Sequence, residues 1–398
     1  MSINLDGKSL YQPSYITERV PLFYGGKQEE YLEMAENAIA SGVTLISEEL
    51  KNKTDPAIIY HRVVQSLQDA RHQIALRHQP EKAHLFGMRR DNPNTHQDSY
   101  VTACTGLYGQ YEEYNEKYLD QLTKILHRIP HDLKTFQKTS ITVSETVMGK
   151  KSSFEIELLD MSELTRRKFT EIPSEQELHQ ALGITDKSPV EITHDYNLMN
   201  RLKLEHKEIY DRININGMLG EINKSFPSPA MEGKVKSALR FERKNIYVLA
   251  TLRLELEPKK TFCLARHLTW MYQNWQEDPI DRMKQHSVDY VIHQDPFLIE
   301  RTQNACSQIF ADILAWDRTE SLEVLKDRVA LLRFVYGNSM PCSRGDGSVG
   351  DWLELAIYRH HGFEKTKHNS SLLPCCELLS TISISNYLKN YRKTIVVE

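Results

Sequence analysis

Apolar residues recur at Tyr31, Leu32, Met34, Ala35, Ala38 and Ile39 within Gln28 to Leu50, the spacing of a helix that buries one face behind an acidic first turn. A second helix is predicted from Pro56 to Leu76, with Pro56 in its first turn and a stripe at Ile58, Ile59, Val63, Val64, Leu67 and Ile74. Arg89 to Ser99 is polar and turn-rich and reads as a loop before a long helix from about Tyr100 to Ile129. Tyr108, Tyr111, Tyr114 and Tyr118 stripe that helix, as a packing face or a binding surface. The texture changes at Thr139. Ser140 to Val147 alternates polar and apolar, Met148 to Lys151 turns, and Phe154 to Leu159 alternates again, which predicts a hairpin. Asn245 to Leu256 carries the strongest further strand pattern, so a small antiparallel sheet is expected mid-chain.

Around these strands the pattern is helical. Helices are predicted at Ser174 to Leu182, where Ser174 and Glu177 have the form of a capping box, and at Tyr196 to Ile213. From Pro279 onward they follow at Asp281 to His293, Pro296 to Trp316, Glu320 to Tyr336, Ser348 to His361 and Pro374 to Tyr391. The expected class is α+β, predominantly α-helical, in three parts: an N-terminal helical region (1–135), a mixed region holding the sheet (136–278) and a C-terminal helical domain (279–398).

Composition narrows the functions. With 398 residues, 40% hydrophobic and 26% charged, the chain is long enough for a buried core and unlike a disordered one. A net charge of −4 offers phosphates no global attraction, and no local basic face stands out, which speaks against nucleic acid as a partner. The apolar runs fall short of the roughly 20 residues a membrane span needs. Met1 to Leu10 lacks the apolar core of a secretory signal, so a cytoplasmic protein is expected. Six scattered cysteines and sixteen histidines without paired metal-ligand spacing predict neither a disulfide framework nor structural zinc.

Chemistry concentrates in Met340 to Glu364, a glycine-rich turn between two helical patterns. Gly345, Gly347 and Gly350 free the backbone, Ser348 with Asp351 reads as an N-cap with an acidic third position, and Gly362 is placed to end the helix. A helix N-terminus reached through glycines presents amides to a phosphate or carboxylate, with Arg344 as the fixed cation. The same residues also serve a plain helix–helix connection, and Asp346 and Asp351 would oppose an anion. His360 and Glu364 have the spacing that puts an imidazole and a carboxylate on one helix face, suited to orienting a general base, or equally two surface side chains at a helix end.

Two resemblances attach to these residues. Met340 to Phe363 resembles the Fic/Doc loop H-P-F-x-[DE]-G-N-G-R-x-x-R, whose usual activity is AMP transfer to a hydroxyl: Pro341, Gly345 and Gly347 match its frame, and Gly362 with Phe363 its following glycine and aromatic. Met340, Arg344, Asp346, Ser348 and Asp351 stand where that family has its histidine, acidic residue, asparagine and two arginines, so the resemblance implies an inactive or rewired member. His360 and Glu364 also resemble the H-x-x-x-E part of the serine plus H-x-x-x-E motif of LnaB-like bacterial effector AMP-transferases, with Ser321, Ser339 and Ser343 open as the serine.

The expected function is therefore an effector-like transfer of a nucleotidyl (AMP) or phosphoryl group to a protein target. In it Arg344, Gly345, Gly347 and Ser348 bind the phosphates of ATP with Mg2+, and His360 and Glu364 are catalytic. The alternative is a non-catalytic helical protein that binds a host or cellular protein. A third choice, a cysteine hydrolase, would pair Cys263 or Cys342 with His267, His286 or His293. The Lys, Gln, Asn and Ile usage and the 17 glycines resemble effectors of intracellular bacteria, which implies delivery into a host cell by a specialised secretion system.

Overall fold

The computed structural model describes residues 28–91, 101–103, 140–160, 173–206, 209–210, 213, 245–257, 260–272, 289–294, 296–364, 366–368, 378, 381 and 383–398. The first two helices form as the apolar spacing requires. Helix α1 (Gln28–Lys51) and helix α2 (Pro56–His78) pair, and Asp55 caps α2 by accepting from the Ala57 amide at 2.7 Å. The α2 stripe of Ile59, Tyr60, Val63, Val64, Leu67 and Ile74 is buried, while Ile58 stays about half exposed.

An antiparallel sheet of six strands follows in the order β1-β6-β5-β4-β3-β2. Its strands are β1 (Val101–Ala103), β2 (Ser140–Val147), β3 (Lys150–Asp160), β4 (Asn245–Glu257), β5 (Lys260–Tyr272) and β6 (Asp289–His293). The expected hairpin is β2–β3, closed by Met148 and Gly149, both with positive φ, the two-residue turn that matches strand twist. Short helices α3 (Glu175–Leu182), α4 (Pro189–His194) and α5 (Tyr196–Glu205) share a small core of Leu178, Leu182, Ile192 and Leu202, and the Ser174/Glu177 capping box is present. The C-terminal helices are α6 (Pro296–Leu314), α7 (Leu322–Ser339), α8 (Asp346–His360) and α9 (Ile384–Thr394), with a two-stranded β7 (Thr366–His368) and β8 (Ile395–Val397).

The fold is thus α+β and mainly helical. One hydrophobic core joins α1, α2, the inner face of the sheet and α6 to α9. Among the described residues no helix is long and apolar enough to cross a membrane.

Several expected elements need correction. Val101 to Ala103, the start of the expected helix Tyr100 to Ile129, is strand β1, paired with β6 nearly 190 residues onward; residues 104–139, with the tyrosine stripe, lie outside the described residues. Asp289 to His293, the end of another expected helix, is strand β6, because a short apolar run takes its period from its neighbours. The helix expected to Ile213 breaks at His206; of the helix expected at Pro374 to Tyr391, Leu378 is helical, Thr381 is not, α9 begins at Ile384 capped by Ser383, and 374–377, 379–380 and 382 lie outside the described residues. Strand β5 carries no sequence signal because Cys263, Leu264, Ala265, Arg266 and His267 are all buried; a strand covered on both faces loses its alternation.

Candidate functional site

The expected site lies on α7, the following loop and α8, and its geometry grows from how that loop is held. Helix α7 ends in left-handed Met340, φ 45°, whose amide donates to Tyr336 O at 3.1 Å. The chain then runs beside the segment 86–90. Gly87 N donates to Arg344 O at 3.0 Å, Ser343 N to Met88 O at 3.0 Å, and Arg90 N to Pro341 O at 2.8 Å. Only glycine fits at Gly87, since a Cβ there would lie 2.1 Å from Gln68 O.

Two buried charges brace the loop. The Arg90 side chain, fully buried, donates to the carbonyls of Met340 (2.6 Å), Ser339 (2.8 Å) and Gln294 (2.9 Å), a cation at the negative end of α7. Asp346 turns back to accept from the Cys342 amide at 3.0 Å and the Tyr336 hydroxyl at 3.2 Å. Burial pushes the Asp346 carboxyl up to about 7, against the pull of Arg90.

The cap of helix α8 lies three residues before the expected Ser348. It is Gly345 with φ 92°, a conformation that closes the turn and lets the Arg71 side chain lie against the backbone. Ser348 is instead inside the first turn, its hydroxyl 3.2 Å from that of Tyr31. Asp351 does not cap; it ion-pairs with buried Arg333, which also holds Glu354 at 2.6 Å. His368 completes the cluster on Glu354 at 2.7 Å. Burial raises the Glu354 carboxyl, but Arg333 and His368 outweigh it and hold it at about 2; at Asp351 burial wins and the carboxyl is raised.

Among the described residues the amides of Asp346, Gly347 and Ser348 meet no acceptor. Arg344 is exposed, 6.0 Å from the Phe86 ring that Arg71 covers at 4.2 Å. The glycines, Ser348 and Arg344 are therefore neighbours, as expected of a phosphate grip. The clefts beside them are small, however. Between α7 and α8, Arg333, Tyr336, Met340, Asp346, Gly347 and Gly350 line a cleft of about 20 Å³, room for a water rather than a nucleotide, whose pockets run to about 300 Å³ or more.

The other half of the expected site sits elsewhere. From Asp346 to His360 is fourteen residues at about 1.5 Å each, so the base lies about 21 Å from the helix start. Nor do His360 and Glu364 share a helix. Gly362 at φ 85° ends α8 in a Schellman turn: Gly362 N donates to Arg359 O at 3.0 Å, Phe363 N donates to Tyr358 O at 3.0 Å, and the Phe363 and Tyr358 rings meet edge-on. Glu364, beyond the turn, is exposed. The hydroxyl at His360 is none of Ser321, Ser339 or Ser343. It is Ser47 of α1, 3.2 Å from Nδ1, a pairing between distant helices that local spacing cannot reveal. Ser41 and Thr44 of the same helix donate to their own i−4 carbonyls, whereas the Ser47 hydroxyl is at hydrogen-bond distance from the imidazole. Burial lowers the His360 pKa, which favours the neutral ring.

The cysteine alternative has no geometry behind it at Cys342. That thiol is buried beside Gln68 and the Asp346 carboxylate, and both burial and that charge push its pKa up, the reverse of what a nucleophile needs. Cys263, His267 and His293 are buried on β5 and β6, and His286 lies outside the described residues. Among the described residues no group of His, Cys, Asp and Glu is placed to hold a metal ion. No protein-family model matches the chain, and no curated protein matches it either.

A different concavity went unread in the sequence. Over the outer side of α2, Ile58, His61, Arg62, Gln65, Ser66 and Asp69 line an open depression of about 540 Å³. Its signal was Ile58, an exposed apolar residue on a mostly polar helix face that carries exposed Leu76 near its other end.

Proposed function

We propose that this chain works by binding a protein partner, as a non-catalytic helical interaction protein of effector type acting on a host or cellular protein. One contrast carries the reading: the cleft at the glycine-rich loop is water-sized, whereas α2 presents a broad, open depression with an exposed apolar side chain among polar ones. Half-exposed Ile58 is the apolar anchor, flanked by the Arg62–Glu49 ion pair and the Gln65–Asp69 hydrogen bond at 2.8 Å as a polar rim. The α7–loop–α8 unit is then the rigid support beneath. Replacement Ile58→Asp should abolish capture of the cellular partner with the melting curve unchanged, while the double variant His360→Ala, Glu364→Ala should capture normally. The opposite pattern defeats the proposal.

A second reading, nucleotidyl or phosphoryl transfer with ATP and Mg2+, is favoured by the amides of Asp346 to Ser348, which meet no acceptor among the described residues, and by the Ser47–His360 pair. It requires a movement that opens the loop cleft and brings its two ends together. Titration calorimetry with ATP, with and without Mg2+, decides it: binding that Arg344→Ala removes supports it, and no heat at millimolar nucleotide ends it.

A further inference from the structure

The geometry points to a covalent modification site at the seam of α1 and α8: the Ser47 hydroxyl accepts one acyl group from a small activated ester, with His360 as its base. Neither the α2 depression nor a nucleotide is needed for this. A chain marked once does not turn over, so the binding reading stands beside it.

Packing brings the two side chains together. Helices α1 and α8 approach closely at Gly42, where an added Cβ would lie 3.3 Å from that of Ala356. The buried Arg359–Glu36 ion pair fastens the last turn of α8 to α1. His360 then reaches Ser47, with Nδ1 3.2 Å from Oγ, within the reach of a nucleophile and its base. The His361 ring stands edge-on to that of His360 with centroids 5.2 Å apart, and Trp316 backs His361 at the same distance, so packed rings hold the imidazole in place.

Ser47 differs from the other hydroxyls of its helix. Ser41 and Thr44 are more exposed, yet they donate to the carbonyls of Asn37 and Ala40, at 2.8 and 3.0 Å. Burial lowers the His360 pKa, so at neutral pH the ring is uncharged and Nδ1 is able to accept the Ser47 proton. The other ring nitrogen, Nε2, meets no partner among the described residues and is not sealed from water. Lys51, one turn further along the same face of α1, is exposed and forms no ion pair among the described residues, which leaves its ammonium available to an oxygen that turns negative. In the step, Ser47 Oγ attacks the ester carbonyl carbon and the new O–C bond forms as the bond to the leaving group breaks. The leaving group departs with that electron pair as an anion, and the Ser47 proton passes to His360 Nδ1 while Nε2 releases one to water.

The probe is p-nitrophenyl acetate, given to the full chain at neutral pH without ATP, with the acetyl group located by tandem mass spectrometry. Acetyl should appear on Ser47 ahead of the more exposed Ser41 and Thr44. His360→Gln keeps a hydrogen-bond partner for the hydroxyl but removes the base, so it should slow acetylation of Ser47 about 100-fold or more with the melting curve unchanged. An equal rate at Ser47 in that variant, acetyl at Ser41 or Thr44 as fast as at Ser47, or acetyl on Lys51 alone would overturn the inference. So would a Ser47 left unmodified after hours at millimolar ester. Ile58→Asp leaves the acetylation unaffected, so failure here is distinct from failure at α2, and the absence of ATP separates it from the nucleotide titration.

Discussion

At the scale of single residues, Asp346 sets a pH dependence. Its carboxyl rises from an ordinary 3.8 to about 7 because it is buried. The folded chain then holds a proton that the unfolded chain releases, so the stability this group contributes is fully present below about pH 4 and is lost as pH rises to about 7. At about 1.36 kcal/mol per pH unit the loss is about 4 kcal/mol. Asp351, also raised, acts in the same direction, whereas Glu354, held at about 2, contributes only above its ordinary range and loses that contribution in stronger acid. Asp346→Asn keeps an acceptor for the Cys342 amide and removes the titration. Urea midpoints at pH 5 and pH 8 should differ clearly in the parent and much less in the variant; parallel curves for both would show that Asp346 does not titrate in this window. The carboxylate was visible in the sequence only as an obstacle to anion binding, because burial is set by Arg90 and Tyr336 arriving from other elements.

At the scale of elements, what was legible followed from local period and local caps. The α1 and α2 stripes, the Met148–Gly149 hairpin, the Ser174 capping box and the Gly362 stop each depend on residues within a few positions of one another. What was illegible depended on distant partners: β1, β5 and β6 owe their state to the sheet, and Ser348 lost its capping role to Gly345 because segment 86–90 pulls the loop into line three residues earlier. The start of α9 belongs to the same class. Its first amides, Ile384 and Ser385, donate to Glu145 of β2, a cap supplied from 239 residues away. Glu145→Gln keeps an acceptor but removes the charge at the helix's positive end, which should cost about 1 kcal/mol. Hydrogen exchange should report it as faster exchange at Ile384 and Ser385 with β3 and β4 unchanged. Equal protection in parent and variant would assign the cap to Ser383 alone.

At the scale of the whole molecule, Arg90 is where the parts are tied together. The residue belongs to the segment after α2, its guanidinium reaches Gln294 just beyond β6, and it closes the carboxyl end of α7 through Ser339 and Met340. One side chain thus links the N-terminal helices, the sheet and the C-terminal helices, and it faces the buried Asp346 charge as well. Arg90→Met fills the volume with apolar atoms but leaves three buried carbonyls without these donors and Asp346 without its cation, and the expected cost is about 3 kcal/mol or more. Arg90→Lys keeps the charge yet lacks the planar fork that serves three separate acceptors, so it should recover less than half of that loss. Because the link is shared, amides at Val63 in α2, Val291 in β6 and Val335 in α7 should all lose protection together in Arg90→Met. Loss confined to the loop from Met340 to Gly345 would instead mean that the helices and sheet hold together without this residue, and that the glycine-rich loop is an independent, openable flap, the state that nucleotide transfer would need.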